Sequence, residues 1–193
     1  MLTSTRNWAV LVLSILGLFW LQPAAAIRYL DFWLPATSLA LCALVWCATL
    51  PAAPAIDWRE LVVDAAVLIG LVLAVAALRY IAPLSTLLTR TRPPDMLAVV
   101  GFVGVAAAIC AGAARQRSAK ALWGGGVVLF IVLLLALKTE PLAAGVSAAL
   151  RALQGQSVAQ ASSADWRWLG FSYIAFRLIS VLRDRASGKL PTM

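Results

Sequence analysis

Six apolar stretches, each bounded by prolines or charges, leave this chain few ways to fold. They lie near residues 8–22, 33–50, 61–82, 96–114, 121–137 and 168–182. A helix needs about 20 predominantly apolar residues to cross the hydrocarbon core of a bilayer. In hydrocarbon every backbone N–H and C=O must be satisfied within the fold, so such runs are helices and not open strands. The spacing predicts an all-α, polytopic integral membrane bundle of six transmembrane helices, forming a single domain over residues 1–193. The first and last runs are the shortest and reach across only with tilt or flanking residues.

Composition agrees with lipid as the solvent. The chain is 63% hydrophobic and 12% charged, with a mean hydropathy of +0.91. Soluble domains carry roughly 25% charged residues. Lys and Arg number 16 against 8 Asp and Glu, a net charge of +8. In a soluble protein that excess would point to nucleic acid. Here the basic residues flank apolar runs, where they set topology and meet anionic headgroups, so nucleic acid is excluded as a partner.

The breaks carry the expected punctuation. Pro51 and Pro54 precede the third run, Pro93 and Pro94 follow Arg90 and Arg92, and Arg115, Arg117 and Lys120 precede the fifth. Residues 141–154 place Leu142, Val146, Ala149 and Leu153 on one helical face, the pattern of an amphipathic helix in the interface plane. Residues 154–164 are small and polar and read as a flexible loop. Arg6, an apolar stretch and Ala24-Ala25-Ala26 have the look of a signal peptide, read here as an uncleaved first span. With six crossings, eight basic residues fall on the side of the termini and six on the other, placing both termini in the cytoplasm of a multi-pass cell-membrane protein.

Little of the chain offers reactive chemistry. There is no histidine, which removes the commonest general base and metal ligand. Cys42, Cys47 and Cys110 lie inside apolar runs and read as small packing residues. No metal or cofactor is expected. Asp57, Glu60 and Asp64 share a face at the start of the third run; they suit a cation or proton site, or merely the favourable N-terminal end of a helix. Arg79 is 15 residues beyond Asp64, about 22 Å along a helix, so the two cannot pair, and Arg79 with Tyr80 reads as an outward-snorkelling anchor. Gly124-Gly125-Gly126 and the small residues of the fourth run, Gly101 and Gly104 among them, suggest close helix packing.

The last run is the most informative. Tyr173, Arg177, Ser180 and Asp184 fall at i, i+4, i+7 and i+11, one polar stripe. An arginine nine residues into a span is costly unless it faces a partner, a cavity or water. The stripe reads either as a polar tunnel or substrate contact, or as a structural arginine bonded to neighbouring helices.

Gly170, Phe171, Ser172, Tyr173, Phe176, Arg177, Leu178 and Asp184 together resemble a segment of the membrane-bound O-acyltransferase family, most closely its bacterial members. The stretch Ile27-Arg28-Tyr29-Leu30-Asp31-Phe32-Trp33-Leu34-Pro35 and Arg92-Pro93-Pro94-Asp95 fit the same resemblance. It implies a bacterial inner-membrane protein and the transfer of an acyl group from a thioester to a hydroxyl, with a histidine of a later helix as base. Ser172, Tyr173, Arg177 and Asp184 match as tunnel or framework residues. The match covers about 30 residues, and the chain ends where the family's central portion would begin. The resemblance therefore implies an amino-terminal half without its catalytic half, with no catalytic residue to carry over. Two other readings stand beside it: a non-enzymatic membrane subunit packed in a larger complex, and a small transporter or channel component using Asp64 and Arg177.

Overall fold

The computed structural model describes residues 5–50, 58–81, 84–116 and 120–189. Among them are seven α-helices: α1 (Thr5–Leu21), α2 (Leu30–Thr49), α3 (Trp58–Ala77), α4 (Met96–Arg115), α5 (Lys120–Lys138), α6 (Glu140–Leu153) and α7 (Phe171–Ala186). Four helical stretches are long and apolar enough to cross a membrane: Leu30–Thr49, Leu61–Tyr80, Met96–Arg115 and Ala121–Lys138. The protein is thus a helical membrane protein. The expected count of six crossings is met by length and composition for these four. The apolar part of α1, Trp8–Leu21, is shorter, and α7 has 16 residues of which four are charged.

The helices alternate between two ends. At one end Arg28 meets Gln156, Asp31 meets Thr91 and Gln22 meets Arg167. At the other, Arg185 donates to the carbonyl of Leu50 and the Trp123 indole to that of Ala48, at 3.1 Å each. We call these the clasp end and the open end.

The core is divided into three clusters with α2 in each, the smallest being Ile27 with Leu30 and Leu34. One cluster joins Ile15 and Phe19 of α1, Phe32 and Ala36 of α2, Val72, Val75 and Ala76 of α3, and Val99 of α4. The second joins Val45 of α2 with Trp123 and Phe130 of α5 and Phe171, Ala175 and Leu182 of α7. Of its membrane-spanning stretch α2 buries 44%, against 17% for α3 and 11% each for α4 and α5, so α2 is the spine and the others turn most of their surface outward. That outward surface is apolar, with Leu97, Val105, Val128 and Leu135 all more than half exposed. Surface of that kind is stable against acyl chains, not water.

Local chemistry explains the start of α2. Tyr29 adopts a left-handed backbone, φ 63°, uncommon for a side-chain-bearing residue. The guanidiniums of Arg28 and Arg79 lie 6.0 and 5.9 Å from its ring. Its carbonyl accepts from the N–H groups of Phe32 and Trp33. Pro35 sits in the second turn of α2, where it withholds one donor from the helix.

Three expectations need correcting. Arg79 does not snorkel outward: it donates to the carbonyl of Pro93, and Arg92 in turn reaches the carbonyl of Arg79 at 3.3 Å, tying the end of α3 to the α3–α4 connection. Of the three consecutive glycines only Gly126 is closely approached, where an added Cβ would lie 2.8 Å from Leu182 Cδ1; Gly124 and Gly125 meet nothing, nor do Gly101 and Gly104. Residues 154–164 are not an open loop but carry two 3-10 turns, Val158–Gln160 and Ser163–Asp165, the second closed by a capping box from Ser162.

Candidate functional site

The polar stripe of the last run lies on α7, whose orientation is set by its other face. Gly170 enters the helix at φ 70°, a conformation that suits glycine. Phe171, Ala175 and Leu182 then point into the bundle, and Trp168 stacks on Phe171 with ring centres 4.0 Å apart. The Trp168 indole donates to Ser38 Oγ at 2.8 Å, pinning α7 to α2. At the open end Arg185 holds the Leu50 carbonyl and lies over the Trp123 ring.

With that face buried, the stripe is turned outward. Tyr173 is 79% and Phe176 62% exposed, and Arg177 and Ser180 are exposed beside them. Ser180 Oγ donates to the Phe176 carbonyl of its own helix, while Ser172 and Asp184 are half-buried. Among the described residues Arg177 has no hydrogen bond or ion pair. It lies six residues into α7, about 9 Å along the axis from the start of the helix. The structure therefore brings Tyr173, Arg177 and Ser180 together on one face, but on the outside of the described bundle and in neither cavity described below.

The carboxylates of the third run are placed elsewhere. Asp57 and the Glu60 side chain lie outside the described residues. Asp64 is half-buried and lines a cavity of about 580 Å³ near the open end, between α2, α3 and α4. Its inner boundary includes Val72, which with Val75 and Ala76 packs α3 into the first core cluster. Its other walls are apolar or small, including Ala107, Ala111 and the free thiols of Cys42, Cys47 and Cys110.

The clasp end holds a polar network that sequence reading missed. On α6 the inward residues are Ala143, Ser147 and Arg151, while Leu142 and Leu153 are 52% and 80% exposed. The helix is amphipathic as expected, with the face of Leu142 and Leu153 turned outward. Asp165 Oδ2 accepts from Arg151 Nε at 2.8 Å, Ser147 Oγ at 2.7 Å and the Ser162 N–H at 3.3 Å. The Arg151 guanidinium, followed by these hydrogen bonds, holds the Asp165 carboxyl below the usual carboxylate range. Nearby, the Gln22 amide spans Arg167 O and Leu169 N–H, and the Gln156 amide spans Ala26 O and Arg28 N–H. Asp31, only 1% exposed, accepts both the N–H and the hydroxyl of Thr91, at 2.7 and 2.6 Å. The signal that marks Arg151 is Ser147 and Arg151 at i and i+4 on the face opposite the leucines.

No family model, no curated protein and no solved structure matches this chain.

Proposed function

We propose that this protein is the incomplete membrane half of a larger assembly, completed by further transmembrane helices that dock on the outer face of α7. The observation that carries this is Arg177, exposed beside Tyr173 and Ser180 and without a hydrogen bond or ion pair among the described residues. A charged residue at the centre of a spanning helix costs about 2.5–3.5 kcal/mol on insertion scales, and such residues face partners or water-filled spaces. Nothing among the described residues supplies either. In this reading α1 and α7 are the fifth and sixth crossings, admitted despite their length because neighbours shield them.

The acyltransferase resemblance is a narrower form of the same proposal. Ser172, Tyr173, Arg177 and Asp184, which carry it, lie on or beside the face that awaits a partner. The docking helices would then bring the histidine base that this chain lacks. A purely structural subunit would use the same face. Asp64 and Arg177 line no common cavity, so the geometry offers no shared solute path through them.

A photo-crosslinking amino acid at Phe176, compared with one at Leu97 on the outer face of α4, tests the proposal in native membranes. The expected result is a protein adduct from position 176 and lipid adducts alone from position 97. Lipid adducts alone from both, with Arg177→Leu accumulating in the membrane as the wild type does, would overturn it. Mass analysis of the adduct identifies the partner as a separate chain or as a continuation of this one.

A further inference from the structure

A second cavity, of about 310 Å³, lies at the clasp end beneath α6, away from α7's outer face. Its mouth carries the side chains of Arg28, Gln154 and Trp166, and its depth follows Leu34 and Leu41 of α2 and Leu129 of α5. The three mouth residues are all donors. The Trp166 indole N–H is buried without an acceptor, which is rare for a buried polar group. The Arg28 side chain is exposed and has only the Tyr29 ring beside it, 6.0 Å from the guanidinium carbon. The Gln154 amide has no partner among the described residues. Among the described residues no carboxylate lines the cavity. The nearest acids in sequence are already satisfied, Asp31 by Thr91 and Asp165 by Arg151 and Ser147.

We infer that this cavity binds one anionic phospholipid, with the phosphate at Arg28, Gln154 and Trp166 and one acyl chain between α2 and α5. A phosphate offers separate acceptor oxygens and the charge that Arg28 lacks. The mouth is at the clasp end, past the ends of the apolar spans, which in this inference lies at headgroup depth. Leu34 and Leu41 are seven residues apart, about 10 Å along α2, so the apolar wall leads from headgroup depth toward the bilayer centre. Leu129 is 41% exposed, which leaves the wall open sideways for entry from the bilayer. The inference holds whether or not further helices dock on α7.

Native mass spectrometry of the full chain, released from nanodiscs containing equal phosphatidylglycerol and phosphatidylethanolamine, tests it. One phosphatidylglycerol is expected to remain per chain, with at least a tenfold preference over phosphatidylethanolamine. Trp166→Phe, which keeps the ring and deletes the N–H, and Arg28→Gln are each expected to lower retention about tenfold. Arg90→Gln, an exposed charge at the same end, serves as the control for general attraction and is expected to leave retention unchanged. Equal retention in all variants, or equal retention of the two lipids, would overturn the inference. Oleate retained in place of phosphatidylglycerol, with the same dependence on Arg28 and Trp166, would overturn the phospholipid assignment in favour of a free carboxylate.

Discussion

Asp165 gathers three donors at one oxygen, and its ion pair with Arg151 leaves the side chains only 9% and 6% exposed. Removing one partner strands the other, and breaking a buried pair in this way costs about 3–5 kcal/mol. Asp165→Ala is therefore expected to release residues 139–170 from the clasp end, seen as faster amide exchange there while α2 and α5 stay protected. Arg151→Met combined with Asp165→Leu removes both charges and is expected to recover most of that loss. Because the Asp165 pKa is depressed in the fold, its contribution is fully present above the unfolded value of about 3.9 and is lost as pH falls through the lowered folded value. Exchange within 139–170 should accelerate only below about pH 4. Acceleration between pH 5 and 7 instead would assign the control to another group.

Among the elements, α5 and α7 pack tightly at Gly126, where an added Cβ would lie 2.8 Å from Leu182 Cδ1. Gly126→Val forces a branched side chain against a buried leucine, and overpacking of this kind costs about 1–3 kcal/mol. Gly125→Val meets open space and is expected to leave the unfolding midpoint in detergent unchanged, so the pair of variants separates packing from helix propensity. Sequence alone showed that three glycines in a row favour close packing, but not which one, because the phase of α5 is set by what Phe130 and Trp123 bury. Helix positions were legible for a plain reason: apolar length is counted along the chain, so the six runs and the interfacial segment appear as α1 to α7. The stripe on α7 was equally legible from its period. Its direction was not, since Phe171, Ala175 and Leu182 and the Trp168–Ser38 bond decide which way the helix turns. Arg79 escaped for a similar reason, its partner Pro93 being visible only once the α3–α4 connection folds back. Gln22 and Gln156, which tie the clasp end together, have no periodic pattern at all.

For the molecule as a whole, alternation of the helices makes a topological prediction. With the three native cysteines replaced, single cysteines at Arg28, Arg90 and Ser157 should react with an impermeant maleimide from one side of the membrane, and those at Gln116 and Gly188 from the other. Labelling of position 90 from the side opposite position 157 would break the pairing of Asp31 with Thr91 on which the clasp end rests. Among the described residues the two larger core clusters share only α2, so damage to that helix should unfold both. Phe32→Ala in the first cluster or Val45→Ala in the second should lower the stability of α4 and α7 alike.

The central place of α2 also sets a timetable for synthesis. It leaves the ribosome before the elements it pairs with, so Asp31 must wait for Thr91, 60 residues later, and Ser38 for Trp168, 130 residues later. At roughly 5–20 residues per second, those delays are about 3–12 s and about 6–26 s. For that interval the spine of the protein is a nascent segment with an unmatched acid and a hydroxyl bonded only within its own helix, and whatever shelters it at the translocon shares in building the fold.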